Sequence, residues 1–414
     1  MNQLNIFSTV EKEQLSLDVF QAYFDARKNK RNTINALAFE KHFESKLFQL
    51  IDEISNYQYT PKPSICFIVN KPVKREIFAA DFRDRVVHHL IYNYIAPIFE
   101  KTFINDSYSC RKGKGTHYGI KRMDHFMRSC SENYTKDCYI LKLDISGYFM
   151  SMNKNLLFEL VKNRLVKQKH KISFDLNLVL YLLDKTIFND PTQHCTIKGS
   201  RRDWKGLPDT KSLFHAQPFC GLPIGNLTSQ LFGNVYMNPF DHWIKKTFNI
   251  RHYGRYVDDF VIMHPDKFFL QILIPKISAF LHEKLSLRLH PDKIYLQHFS
   301  KGVQYLGAII RPHRIYIAAR TKGNFYEAIE KQNIIARAHK PSKQERESFL
   351  SSINSYLGIL RHYKTHKLRK HLHKKHLSGW WGNYVRIEKY EKYVLKNKIV
   401  KQETNQFLLQ STSS

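Results

Sequence analysis

Two adjacent aspartates, Asp258 and Asp259, interrupt an apolar and β-branched run, residues 251–264 (RHYGRYVDDFVIMH), and no other stretch restricts the fold so tightly. Side chains alternate along a strand and a tight turn projects its residues outward, so the run reads as strand, turn, strand with the acids at the tip. Neighbouring carboxylates make each other harder to ionise unless positive charge lies beside them. A divalent cation would supply it; the plain alternative is a solvated turn that carries two acids by accident. Upstream, residues 139–149 (YILKLDISGYF) form a second apolar run ending in a lone acid, Asp144. If the two runs are neighbouring strands, Asp144, Asp258 and Asp259, with Ile145 beside the first, meet at one sheet edge. Two Mg2+ ions about 3.5–4 Å apart can be held that way, and Mn2+ suits the same oxygen ligands.

LDISGYF followed by RYVDDF resembles the reverse transcriptases, and the likeness runs over residues 59–384. It implies an RNA-directed DNA polymerase with an α+β right-hand fold: fingers, a ferredoxin-like palm sheet and a helical thumb. The catalytic acids would be Asp144, Asp258 and Asp259, working with two metal ions on a primer 3′-hydroxyl and a deoxynucleoside triphosphate. Residues 1–58 are expected to be an N-terminal helical extension, 59–320 the fingers and palm, 321–385 a basic helical thumb, and 386–414 a C-terminal helix and tail.

Composition agrees with a polyanionic partner. The chain has 414 residues and a formal net charge of +30, with 14% aromatic residues, and keeping so many cations on one fold favours nucleic acid. Six scattered cysteines form no CxxC pair, so neither a zinc ribbon nor a disulfide framework is expected, and free thiols fit a reducing cytoplasm. The first residues lack the apolar core of a signal peptide, and no run approaches a membrane span. The expected setting is cytoplasmic, with no membrane partner.

Residues 1–58 carry helical spacing at Phe39, Phe43, Leu47, Leu50 and Ile54; the basic stretch 26–33 (ARKNKRNT) is either a backbone contact or a solvated loop. From Tyr59 the pattern turns to strands. Residues 64–69 and 75–80 flank NKPVK as a hairpin whose tip, with Lys71, Lys74 and Arg75, either folds over a nucleotide's triphosphate or is simply exposed; Arg75 resembles the family's triphosphate-binding arginine. Residues 104–123 set Arg111, Lys112 and Lys114 among glycines, which lets backbone amides approach phosphate; by resemblance they face the template, and otherwise they form a flexible basic loop. Phe149 occupies the place of the family's steric gate, where a bulky wall rejects a ribose 2′-hydroxyl.

Residues 190–220 look irregular and polar, a long insertion to which the sequence gives no role; His194 and Cys195 lie in it without further metal-ligand partners. GLPIGNLTSQ, from Gly221, resembles the loop that lies against the incoming nucleotide and template. Here Ile224, before Gly225, stands where a glutamine is usual, and Gln230 stands where a proline is usual. This pattern resembles enzymes of diversity-generating retroelements and of bacterial antiphage systems. Lys293 matches the family's lysine near the triphosphate, and residues 302–310 resemble the hairpin that grips the primer end, through Tyr305, Leu306 and Gly307. Ser342 and Glu345 open a basic helical segment with a capping box. Its acid-free continuation, KTHKLRKHLHKKH, sets Lys364, Lys367 and Arg369 on a surface suited to a duplex backbone. Trp380, Trp381 and Tyr384 are expected to pack the thumb.

The expected partners are a structured non-coding RNA template, the RNA–DNA duplex copied from it and deoxynucleotides, together with an accessory protein or a second reverse transcriptase, or further copies of the chain. Two roles fit: cDNA synthesis in phage defence, toward which the insertion and extended tail lean, or mutagenic copying in a diversity-generating element. A non-catalytic RNA-binding relative is the reading from another class.

Overall fold

The computed structural model describes residues 9–28, 33–70 and 73–396. Three helices come first, α1 (Thr9–Arg27), α2 (Ile34–Glu40) and α3 (Phe43–Ser55). A hairpin of β1 (Ile65–Val69) and β2 (Arg75–Ala79) leads to α4 (Phe82–Glu100) and α5 (Thr116–Cys130). Then come β3 (Tyr139–Leu143), α6 (Lys154–Lys167), α7 (Leu176–Ile187) and the short β4 (Thr196–Ile197). The chain continues through α8 (Leu227–Thr247), β5 (His252–Tyr256), β6 (Asp259–His264), α9 (Lys267–Leu285) and β7 (Tyr295–His298). Three short strands follow, β8 (Val303–Tyr305), β9 (Ala308–Arg311) and β10 (Arg314–Ile317). Last are α10 (Ala319–Ala338), α11 (Lys343–Leu360), α12 (His366–His371) and a hairpin of β11 (Val385–Glu388) and β12 (Lys392–Leu395).

The fold is α+β. Its central sheet runs β5-β6-β3-β7. In chain order the elements are strand, helices, strand, strand, helix, strand, and the first and third strands lie side by side in the middle, which is the ferredoxin-like arrangement. Residues 139–143 and 259–264 can sit there because their interiors, Ile140, Leu141, Leu143 and Phe260 to Met263, are apolar and buried, as a covered central strand requires.

The chain divides into two compact units, residues 1–119 with 138–296, and residues 120–137 with 297–414. In the first, Leu47, Leu50 and Ile54 of α3 and Leu15 and Val19 of α1 share one core with Val86 and Leu90 of α4, Phe240 of α8 and Phe260 of β6. The N-terminal helices are therefore part of this unit's core, where an extension had been expected, because their apolar stripes need cover that α4 provides.

The second unit gathers around Phe325, Ile329, Phe349, Ile353, Leu357 and Trp381. Trp381 is fully buried, stacks on Phe349 at 4.2 Å between ring centroids and donates its Nε1–H to the Gln332 carbonyl at 3.1 Å. Trp380, expected to pack alongside, is 62% exposed. The capping box forms as the sequence indicates, with Ser342 accepting from the Glu345 N–H and Glu345 accepting from Ser342. The expected C-terminal helix does not begin at 386: residues 385–395 pair as β11–β12, with Lys389 and Tyr390 at positive φ in the turn. YVRIEKYEKYVL alternates with period two, and Val385 and Tyr393 enter the core. The remainder of the tail lies outside the described residues. All six cysteines are free, and among the described residues no helix is long and apolar enough to cross a membrane.

Candidate functional site

The β5–β6 turn is two residues long, because Tyr256 pairs with Asp259. Val257 occupies the left-handed region at φ 59°, an uncommon conformation for a β-branched residue. Arg255 holds it there. This fully buried guanidinium donates from Nε to Asp241 Oδ1 at 2.8 Å and from Nη2 to Oδ2 at 2.6 Å, while Nη1 donates to the Val257 carbonyl at 2.9 Å. Tyr253 donates its hydroxyl to the same carboxylate at 2.5 Å. A buried two-point ion pair between β5 and α8 thus fixes the turn that carries Asp258 and Asp259.

Leu143 pairs with Phe260, so the end of β3 delivers Asp144 beside that turn. The Asp144 carbonyl accepts from the His290 N–H at 2.8 Å. Its carboxylate Oδ1 lies 2.9 Å from Lys293 Nζ, and Lys142 Nζ lies 3.2 Å from Asp259 Oδ2. Burial, followed by the charge of Asp144, raises the pKa of Asp258. Burial pushes Asp259 up to about 7, with Lys142 opposing and Asp258 and Asp144 adding to the rise. Asp259 Oδ1 is buried without a hydrogen-bond partner. The charge of Asp144 is thus felt at both Asp258 and Asp259. Among the described residues no set of three His, Cys, Asp or Glu side chains is gathered into a ready cation cage; lysines hold two of these acids instead.

Asp144, Ile145 and Asp258 line one cleft of about 580 Å³, mouth included, while Asp259 turns to Lys142. Its walls carry Lys74, just before β2, and Arg75 at its start, Phe149 and Ile224 on the apolar side, and His290 and Lys293. Lys71 lies outside the described residues. Gly225 does not line the cleft. It sits at φ 129°, and a Cβ there would come within 3.0 Å of Ile77 Cγ2 and of the Phe78 carbonyl oxygen. The Ile224 carbonyl accepts from the Phe78 N–H at 2.9 Å, so Gly225 permits close approach of this loop to β2.

The basic residues expected at template and primer separate into two groups. Arg111 is only 6% exposed at its side chain: it bonds Glu100 and donates Nη1 to the carbonyls of Ile104 and Ser107, so the fold has taken its donors. Lys114 donates to Asn105 and lies over the Tyr118 ring. Arg369 is buried and donates Nη1 to the Tyr390 carbonyl at 2.6 Å, anchoring the β11–β12 turn. Tyr305 is fully buried, which removes its ring from any primer contact, while Leu306 and Gly307 form the two-residue turn between β8 and β9. Lys112, Gln230, Lys364 and Lys367 are exposed.

Sequence reasoning did not find Lys142, His290, Thr210, Lys211 or the Arg255–Asp241 pair. Lys142 had a signal, since it precedes Asp144 by two and shares its strand face. The others are joined only by tertiary packing.

A family described as reverse transcriptase (RNA-dependent DNA polymerase) matches residues 61–310. This chain belongs to that family. The reverse transcriptase is 24% identical over 308 residues to Protein YkfC of Escherichia coli K12, covering 66% of this chain and 73% of that protein. It is 22% identical over 249 residues to the putative COX1/OXI3 intron 1 protein of Saccharomyces cerevisiae, covering 60% and 25%. Among solved structures, apo telomerase from Candida tropicalis, truncated from its C-terminal domain, aligns at 14% identity with a TM-score of 0.44, over 64% of this chain and 58% of that one. Telomerase from Candida albicans aligns at 13% identity and 0.43, over 82% and 62%. The reverse transcriptase thus spans about three fifths of the telomerase chains it matches.

Proposed function

We propose that the protein is an RNA-directed DNA polymerase that makes cDNA from a dedicated structured RNA, and that it serves in bacterial antiphage defence. The observation that carries the first part is the convergence of Asp144 and Asp258 on one cleft with Arg75, Phe149 and Lys293, in a chain of this family.

The reaction joins a primer 3′-oxygen to the α-phosphorus of a deoxynucleoside triphosphate and breaks the bond to pyrophosphate. Asp144 and Asp258, with the Ile145 carbonyl and Asp259, would hold two Mg2+ ions, or Mn2+. The residues fit: burial and the charge of Asp144 raise the pKa of Asp258 and of Asp259, and Asp259 Oδ1 is buried with no donor. When bound, the ions supply Lewis acidity to the attacking hydroxyl and the leaving phosphates. Arg75 and Lys293 would orient the triphosphate by charge-assisted hydrogen bonds. Phe149 would close the space a ribose 2′-hydroxyl needs. Lys112, Gln230, Lys364 and Lys367 remain as exposed contacts for the RNA–DNA duplex. An accessory protein, a second reverse transcriptase or another copy of the chain would complete the assembly.

Primer extension on an RNA template tests this reading. Wild type should incorporate deoxynucleotides and Asp258→Asn should not; full activity in the variant would overturn it. The defence role rests on the departures from the compact diversity-generating form, chiefly residues 190–220. Phage plating with wild type and Asp258→Asn, and sequencing of cDNA bound to the purified protein, test it. A diversity-generating role is the second reading, favoured by Ile224: an apolar side chain on the cleft offers a base no hydrogen bond. A repeat pair beside the gene would support it.

A further inference from the structure

We propose that Lys211 binds the substrate's triphosphate, delivered to the cleft by residues 190–220 and positioned through Glu76. The inference deepens the polymerase reading and rests on it.

Residues 190–220 have little regular structure, yet they are not loose. Glu76 on β2 is 1% exposed and is their anchor. Its Oε1 accepts from the Leu213 N–H at 2.6 Å, and its Oε2 accepts from the Ser212 hydroxyl at 2.8 Å and the Trp204 Nε1–H at 2.5 Å. Lys74 Nζ donates to the Lys205 carbonyl at 2.8 Å. Leu213 packs with Cys66, Phe78 and Met150. On the other side, the Thr210 carbonyl oxygen approaches Gly147 so closely that a Cβ there would lie 2.8 Å from it. Gly147 follows Asp144 by three residues, so the segment is packed directly on the turn that leaves the catalytic strand.

Lys211 lies between these two attachments, in the single turn Asp209–Lys211, and lines the cleft with Asp144, Asp258 and Arg75. Successive strand residues face opposite ways, so Glu76 reaches back to hold the segment while Arg75 points at the cleft. The neighbouring cations are engaged: Lys293 with Asp144, and Lys74 with a carbonyl. Arg75 and Lys211 line the cleft, and the Arg75 charge acts on Asp258. Two cations beside two acids suit a polyanion brought in with its counterions. A lysine ammonium, with three rotatable donors on a long stem, serves as a point charge for phosphate.

The test uses the full chain, wild type and Lys211→Ala, Lys211→Arg and Arg202→Ala. Arg202 lies in the same segment, is exposed and does not line the cleft. Lys211→Ala should raise the KM for a deoxynucleotide about tenfold with kcat little changed, the pattern of a contact present in ground and transition states alike. The inhibition constant of inorganic tripolyphosphate should rise by the same factor. Lys211→Arg should restore both, and Arg202→Ala should leave both unchanged. Equal constants for wild type and Lys211→Ala would overturn the proposal, as would an equal rise in Arg202→Ala, which would mean bulk charge alone. A wild type that incorporates nothing would overturn the polymerase reading; binding of a fluorescent deoxynucleotide to wild type and Lys211→Ala then decides Lys211 separately.

Discussion

Lys293 Nζ sits 2.9 Å from Asp144 Oδ1, so an acid that would hold a divalent ion is paired with the lysine proposed to meet the triphosphate. The two roles are compatible only if the ammonium swings from carboxylate to phosphate when substrate arrives. Lys293→Met should therefore lower kcat/KM for deoxynucleotides about tenfold to a hundredfold, with Lys293→Arg recovering part of the loss. Single-nucleotide incorporation at saturating Mg2+ measures it.

Phe149 lines the cleft and is half-buried, its ring wedged against Tyr148 at 5.2 Å between centroids. Removing the ring should open room for a 2′-hydroxyl. Phe149→Ala is expected to lower the deoxy-to-ribo ratio of kcat/KM about a hundredfold, the upper range for a purely steric wall. Competition between a deoxynucleotide and its ribonucleotide on one template reads the ratio directly.

His88 on α4 meets Thr228 at the start of α8, with Nδ1 2.8 Å from Oγ1. Burial, with His89 and Arg85 nearby, lowers its pKa to about 3 from 6.5. Below 6.5 the unfolded chain binds a proton that the folded one refuses, so stability falls as pH drops from about 6.5 toward 3. One proton sets the slope at no more than about 1.4 kcal/mol per pH unit. His88→Gln keeps a partner for Thr228 and cannot titrate. Denaturant melts at several pH values should show the wild type losing stability faster than the variant on acidification.

Trp381 carries the core of the second unit. Trp381→Ala removes its stack on Phe349 and its bond to the Gln332 carbonyl, and should destabilise the protein by about 3–5 kcal/mol. Trp380→Ala, at a 62% exposed position, should change little. Chemical denaturation followed by tryptophan fluorescence compares them.

Much of this was legible beforehand where the pattern is local. Alternation and apolar runs marked β3, β5 and β6, and the acids at their ends fell on one sheet edge. Period-3.6 spacing gave α3, α4 and α11, and Ser342 with Glu345 gave a start. What failed depended on which partner each group meets in the fold. Arg111 and Arg369 looked like phosphate ligands because a guanidinium reads the same whether it meets a polyanion or a backbone carbonyl. Residues 190–220 had no period to read, since Glu76, far upstream, organises them. The hairpin at 385–395 was hidden by its charges, though its alternation was present.

The Arg255–Asp241 pair has a consequence for experiments in solution. It lies wholly inside the protein and so beyond the reach of dissolved ions, whereas Lys112, Lys364 and Lys367 stand in the solvent. Raising ionic strength should loosen the grip on nucleic acid while leaving the turn that bears Asp258 undisturbed. Titrating salt would then separate how firmly the template is held from how well the bond-forming apparatus is aligned.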